Sequence, residues 1–188
     1  FRGINTEYFD NSKITSEKVK SFKSLINLNP EKFKILLPGR LTRWKGQEMF
    51  IESLFILKTK YGKENFQAII LGPDQGRKVY FKKLISMIDK YSLKSNVFFL
   101  QHAKEMPVAY YISDVVVSSS IEPEAFGRVS VEAQAMRRPI LASDHGGSKE
   151  TIINGKSGFL FENNKPEVLA ENLNKLMEMD KDKLQSIG

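Results

Sequence analysis

Apolar residues along this chain form two patterns: short runs rich in β-branched and aromatic side chains, and longer stretches with helical spacing. The short runs predict six strands, at residues 34–37, 67–71, 97–100, 115–118, 140–143 and 158–161. The stretches between them predict helices around 50–57 and 80–88, a short helix from Pro107, helices over 127–136 and 166–179, and one further helix within 11–30. Strands that alternate with helices are typical of βα units around a parallel sheet.

The winding of such a sheet predicts where a ligand binds. Six parallel strands with right-handed crossovers most often form two halves, in the spatial order 3-2-1-4-5-6. We therefore expect an α/β fold, a doubly wound Rossmann-like domain over residues 34–188, preceded by a leading helix. Ligands bind beyond the carboxyl ends of the strands where the winding reverses. The loops after strands 1 and 4 are the predicted site.

The composition fits one folded domain and limits its chemistry. The chain has 188 residues, 41% of them hydrophobic, and a chain of this size buries about 70% of its unfolded surface. It has no cysteine, and His102 and His145 are far apart with no local partner, so we expect no thiolate or histidine-rich metal site. We also expect no cofactor of another kind. No apolar run reaches the roughly 18 residues that span a bilayer. The first residue is not methionine, and we expect a piece of a longer protein.

Charge is unevenly distributed along the chain. Residues 1–99 carry 19 basic and 9 acidic side chains, whereas residues 100–188 carry 10 and 13. An excess of lysine and arginine often forms only a solvated face. The alternative is an anionic partner, which could be nucleic acid, a phosphate-bearing ligand or an anionic membrane surface.

Glycine and basic residues follow strand 1. Gly39, Arg40 and Lys45 lie at a strand-to-helix turn, where glycine lets the backbone approach a ligand and the next helix offers free N–H groups. A diphosphate would fit there, and Arg40 and Lys45 would add positive charge. A plain glycine turn with incidental surface cations explains the same spacing, so the spacing alone leaves both interpretations open.

Two carboxylates follow strand 4. Glu124 falls in the loop and Glu132 falls in the next helix, so both can face one cleft. Carboxylates accept hydrogen bonds from sugar hydroxyls, and the N–H groups of residues 126–129 can hold a phosphate. Taken singly, Glu124 is better explained as a helix-start acid that complements the helix dipole, and Glu132 as an exposed helical glutamate. Their position beside the strand 1 cluster favours a shared site.

The other loops are less specific. Gly72 follows strand 2, where a nucleotide or a plain turn fits, and Gln101 and His102 follow strand 3, where a structural histidine or a nucleobase contact fits. No G-x-G-x-x-G follows strand 1, and no G-x-x-x-x-G-K-[ST] occurs. This argues against dinucleotide oxidoreductases and P-loop NTPases.

Five motifs follow one another in a fixed order along the chain. They are Arg2-Gly3-Ile4-Asn5 with Phe9-Asp10; Gly39-Arg40-Leu41 through Lys45-Gly46; Asp114-Val115-Val116; the E-x7-E element from Glu124 to Glu132; and Gly146-Gly147-Ser148-Lys149-Glu150-Thr151, continuing to Asn154-Gly155 and Gly158-Phe159-Leu160. Together they resemble the C-terminal, donor-binding domain of a group 1 (family 4) retaining glycosyltransferase of the two-domain GT-B type. The resemblance covers nearly the whole chain, and it implies that residues 1–33 form an interdomain linker and leading helix.

The resemblance implies roles for the residues of these motifs. Arg40 and Lys45 would contact the nucleotide diphosphate, Glu132 the ribose hydroxyls and Glu124 the transferred sugar, with Arg40, Lys45 and Glu124 as the catalytic group. Arg128 stands where the family commonly has an aliphatic residue, and Gln101-His102 where it often has glycine. The candidate donor-binding residues are Gly39, Arg40, Lys45, Gly72, Gln101, His102, Glu124, Ala125, Phe126, Gly127, Arg128, Val129 and Glu132.

The implied activity is transfer of a hexosyl-type sugar, with retention, from a nucleotide-diphospho-sugar. The acceptor would be a cell-envelope glycolipid or lipopolysaccharide precursor, held by an N-terminal domain that this chain lacks. We expect a cytoplasmic location, extending to the inner face of an anionic membrane, and no nucleic-acid partner. The isolated chain is expected to bind donor but to transfer no sugar. A non-catalytic nucleotide-sugar-binding module and a nucleic-acid-binding module are the alternatives.

Overall fold

Six strands are present, each within a residue or so of its predicted position. They are β1 (Phe33–Pro38), β2 (Phe66–Leu71), β3 (Val97–Leu100), β4 (Val115–Ser118), β5 (Ile140–Ser143) and β6 (Phe159–Phe161). In this computed structural model, which describes residues 3–103 and 105–188, they form one parallel sheet in the order β3-β2-β1-β4-β5-β6. The predicted doubly wound order is confirmed.

Helices connect the strands and cover both faces of the sheet. They are α1 (Ser16–Lys23), α2 (Gln47–Tyr61), α3 (Lys78–Lys90), α4 (Met106–Tyr111), α5 (Arg128–Ala135), α6 (Gly147–Thr151), α7 (Pro166–Glu178) and α8 (Lys181–Ile187), with 3-10 turns at Asn11–Lys13 and Arg43–Lys45. The short helices α6 and α8 were not expected, because five and seven residues are too few to show a helical period.

The further helix expected within residues 11–30 is confirmed as α1, which is shorter than that stretch. The structure has the 3-10 turn Asn11–Lys13 and then the eight-residue α1. Beyond α1, the side chain of Gln67 on β2 accepts a hydrogen bond from the amide of Asn29 (2.7 Å) and donates one to the carbonyl of Asn27 (3.0 Å). Tertiary hydrogen bonds thus take backbone groups that a longer helix would have paired internally.

Two apolar clusters form the core, one on each face of the sheet. Successive strand residues point to opposite faces, so Ile35 and Leu37 pack with α2, α3 and α7, whereas Leu36 packs with α4 and α5. Phe50 of α2 and Leu173 of α7 are fully buried in the first cluster. This packing fixes the carboxyl ends of β1 and β4 side by side.

The segment expected to be a linker packs onto the second cluster. Phe9, Phe22 and Ile26 are all buried there. Its role as an interdomain linker stays a prediction, as does the division at residue 33. None of the described helices is both long and apolar enough to cross a bilayer.

Candidate functional site

A cleft of about 680 Å³ lies at the carboxyl ends of β1 and β4. This is the place that the strand order predicts for a ligand. Its walls come from the loop after β1, from the loop after β4 with the start of α5, and from the leading segment of the chain. The lining residues are Gly3, Ile4, Asn5, Tyr8, Phe9, Pro38, Gly39, Arg40, Lys45, Met106, Glu124, Ala125, Phe126, Gly127, Arg128, Val129 and Glu132.

All but three of the candidate donor-binding residues line this cleft. The exceptions are Gly72, Gln101 and His102. Gly72 is buried against the backbone of Gly39, where a Cβ would come within 2.1 Å of the Gly39 carbonyl oxygen. Gln101 and His102 are exposed beyond β3, which is the edge strand and is separated from β1 by β2. Their contact with a base stays a prediction.

The backbone of Arg40 is held in place by a side chain at the start of α2. The side-chain Nε2 of the buried Gln47 donates to the Arg40 carbonyl (2.9 Å), and the Tyr80 hydroxyl donates to the side-chain oxygen of Gln47 (3.1 Å). Burial raises the pKa of Tyr80, so its hydroxyl stays protonated and remains a donor. The Arg40 guanidinium is exposed at the cleft, 6.0 Å from the centre of the Trp44 ring.

A salt bridge crosses the cleft between the two loops. The Nζ atom of Lys45 lies 2.7 Å from Oε1 of Glu124, and both side chains are mostly buried. The hydroxyl of Ser120 donates to the same oxygen. Glu124 is therefore held by two donors, and a bound anion would compete with it for the charge of Lys45.

Hydrogen bonds to backbone carbonyls also join the loops after β1 and β4. The Ser119 hydroxyl donates to the carbonyls of Lys45 (3.1 Å) and Gly46 (3.2 Å), and the amide of Ile121 donates to the carbonyl of Trp44 (2.7 Å). These bonds fix the loop after β1 relative to the loop after β4, so neither wall of the cleft can move freely without the other.

The start of α5 faces the cleft with charged and polar groups. Gly127 precedes it in the left-handed conformation and has no side chain to cap the helix, so the N–H groups of the first turn are open to an anion. Glu132 is buried and accepts a hydrogen bond from the Tyr110 hydroxyl (2.6 Å). Arg128 is 67% exposed and lies 3.3 Å from Glu132, so it stands at the rim of the cleft.

The loop after β5 supports this arrangement from outside the cleft. The amide of Gly147 donates to the Glu124 carbonyl (2.7 Å), and Nε2 of His145 lies 2.7 Å from the Ser120 carbonyl oxygen. His145 has no partner nearby in the sequence, but the fold supplies one, the carbonyl of Ser120, which is 25 residues away along the chain.

Sequence reasoning missed part of the cleft wall. Ile4, Tyr8 and Met106 line it, and the Met106 amide donates to the Tyr8 hydroxyl (3.1 Å). The only sequence signal was the first of the five motifs, which contains Ile4 and Phe9. Arg2, in the same motif, lies outside the described residues. Gln47, Tyr110, Ser119 and Ser120 were also missed, since they act on other site residues rather than on a ligand.

Acidic residues and histidines are not grouped for metal binding in the part of the chain that the structure describes. No three or more His, Asp or Glu side chains lie close enough together there to hold an ion. The expectation that the chain works without a metal or other cofactor stays a prediction.

The sequence matches one protein family over most of its length. Residues 19–187 match the model of the family described as glycosyl transferases group 1. The D-inositol 3-phosphate glycosyltransferase of Paenarthrobacter aurescens is 31% identical over 160 residues, which cover 83% of this chain and 38% of that protein. The capsular polysaccharide biosynthesis glycosyltransferase CapM of Staphylococcus aureus is 29% identical, covering 99% and 46%. The chain thus spans less than half the length of these relatives.

Solved structures share the fold. A glycosyltransferase from Rickettsia africae superposes with a TM-score of 0.90 at 31% identity, covering 98% of this chain and 48% of the other. Anabaena HepE, in complex with UDP and glucose, gives 0.87 at 27%, covering 100% and 48%. The C-terminal domain of LpcC, a group 1 protein from Francisella tularensis, gives 0.80 at 26%, covering 98% and 93%. This chain therefore corresponds to a C-terminal half.

Proposed function

The chain belongs to the group 1 glycosyl transferases and matches the C-terminal half of their GT-B fold, and we propose that it binds the nucleotide-diphospho-sugar donor of such an enzyme. One observation carries this proposal. Across a single cleft, Arg40 and Lys45 face the uncapped start of α5. Cationic side chains and helical N–H groups are the two kinds of group that proteins use to hold diphosphates. HepE, which shares this half of the fold, was solved in complex with UDP and glucose, and this supports a nucleotide-sugar as the ligand class.

The size of the cleft supports a ligand of this class. Its volume of about 680 Å³ lies within the usual range of roughly 300–1,000 Å³ for small-molecule sites. Basic and acidic groups are paired in it, Lys45 with Glu124 and Arg128 with Glu132, which suits a ligand with an anionic centre and hydroxylated ends. The proposed base contacts, Gly72, Gln101 and His102, lie toward β2 and β3 and would extend the site along the sheet edge.

The proposed roles follow the chemistry of the side chains. Arg40 and Lys45 stabilise negative charge on the diphosphate as it departs. Glu132 accepts hydrogen bonds from the ribose hydroxyls, and Glu124 accepts them from the transferred sugar. Lys45 and Ser120 hold Glu124 in place through its Oε1 atom. Residues 126–129 offer backbone amides to the distal phosphate and the sugar.

The complete reaction is proposed for the longer protein. Transfer of a hexosyl-type sugar with retention would occur in a cleft between this half and an N-terminal acceptor domain, and the departing diphosphate would take the acceptor proton. An envelope glycolipid or lipopolysaccharide precursor as acceptor is supported by the resemblance of the motifs and by the name of the relative CapM. A cytoplasmic location at an anionic membrane surface is supported by the basic first half of the chain.

Replacing Arg40 tests the donor site. Charge-assisted hydrogen bonds contribute about 1.5–3 kcal/mol each, so Arg40→Ala should weaken binding of a nucleoside diphosphate about tenfold or more. Arg43→Ala is the matched control, because Arg43 is also exposed but lines a different cavity. Calorimetry with UDP, GDP and ADP measures both variants against the parent chain. Equal affinity of the Arg40 variant and the parent, or tight oligonucleotide binding that no nucleotide competes away, would rule out the proposal.

A further inference from the structure

Tyr110 presents a polar atom inside an otherwise apolar cluster. Its side chain is fully buried among residues of the second core cluster, which include Phe9 and Ala133. The phenylalanine ring of Phe9 packs edge-on against it, with the ring centres 5.7 Å apart and the planes at 88°. Packing alone would be satisfied equally well by a phenylalanine at this position. The hydroxyl therefore calls for a separate explanation.

The Tyr110 hydroxyl forms a hydrogen bond with Glu132. It donates to Oε2 of Glu132 at 2.6 Å, a short distance typical of a hydrogen bond to a carboxylate. Burial, followed by the charge of Glu132, raises the pKa of Tyr110 well above its usual value. The phenol thus stays protonated and acts as a permanent donor.

The two carboxylate oxygens of Glu132 have different partners. Oε2 is held from within the core by Tyr110, and Oε1 is 3.3 Å from the guanidinium of Arg128. Arg128 is 67% exposed, so a ligand can displace it at little cost. Each carboxylate oxygen has two acceptor sites, and the arrangement leaves those of Oε1 for a ligand in the cleft.

We infer that Tyr110 is a positioning residue for the donor site, which fixes the Glu132 carboxylate so that one oxygen meets the ribose hydroxyls of the nucleotide. The inference rests on the proposed function. Tyr110 does not line the cleft, but it determines the orientation of Glu132, which does. A pre-oriented acceptor binds a hydroxyl pair more tightly than a mobile one, because less freedom is lost on binding.

Removing only the hydroxyl tests this inference. Tyr110→Phe keeps the ring and its packing, and Tyr111→Phe is the matched control, since Tyr111 is exposed and stacks near Arg138 rather than Glu132. The probes are UDP, GDP and ADP, together with the 2′,3′-dideoxy form of whichever binds the parent chain. We expect Tyr110→Phe to weaken the ribose form about fivefold to tenfold and to leave the dideoxy form unchanged. The Tyr111 variant should bind both as the parent does.

A purely structural role gives a different result. If Tyr110→Phe weakens the ribose and dideoxy forms equally, or weakens neither, the positioning role is overturned. A second variant sharpens the test: in a Glu132→Ala background, which removes the acceptor, Tyr110→Phe should add little further loss, because the two residues act through one contact. Full additivity of the two losses would also overturn the inference. Failure of the parent chain to bind any of the three nucleotides would instead refute the proposed function on which it rests.

Discussion

Gly46→Ala is expected to lower the free energy of unfolding by about 3 kcal/mol or more, a loss typical of severe steric conflict at a buried position. Gly46 has a left-handed conformation with φ of 69°, and a Cβ there would lie 1.9 Å from the carbonyl oxygen of Ser119. That carbonyl belongs to the residue directly after β4, so it can move only if the loops after β1 and β4 separate. Urea unfolding of the parent and variant measures the difference.

Gly62→Ala is the matched control. Gly62 has nearly the same conformation, with φ of 64°, but a Cβ there meets nothing within 4 Å. Its replacement should therefore cost only the left-handed backbone penalty of about 1–2 kcal/mol. Similar losses in the two variants would contradict the close approach of the two loops at Gly46.

The chain by itself is expected to bind donor nucleotide and to transfer no sugar. Both core clusters are formed by residues of this chain, so the donor cleft should form without further protein. Transfer requires positioning of a second substrate and exclusion of water, and the chain spans less than half the length of the relatives that it matches. Thermal unfolding should shift upward as one nucleoside diphosphate is added, and the shift should grow with its concentration.

The same samples provide the activity measurement. Product formation from UDP-glucose and an added acceptor should not exceed that in buffer. Sugar transfer that Arg40→Ala abolishes would show that this half of the fold is sufficient, and it would contradict the expectation.

The winding of the sheet made the centre of the site predictable. Alternating apolar runs indicated six parallel strands, and the usual winding rule made strands 1 and 4 neighbours. That adjacency brings Lys45 to 2.7 Å from Glu124 although 79 residues separate them along the chain. Neither residue is distinctive alone, but both follow strands whose carboxyl ends had to meet.

The supporting contacts were not predictable, because they depend on side-chain distances that no local pattern encodes. Ser119 reaches a carbonyl 74 residues away, and Tyr110 on α4 reaches Glu132 on α5. A serine or a tyrosine in such places looks like an ordinary core or loop residue. The helix expected within residues 11–30 is confirmed as α1, but its end was not predictable for a related reason, since the side chain of Gln67 binds backbone groups beyond it.

The central claim is that a nucleoside diphosphate binds between the loops after β1 and β4. Amide chemical-shift mapping of the chain by NMR, during titration with UDP, GDP and ADP in turn, tests it most directly. For the nucleotide that binds, the largest shifts should fall within residues 39–46 and 126–132. Saturable binding with its largest shifts on α1 or α7, and with both of these loops unchanged, would contradict the claim.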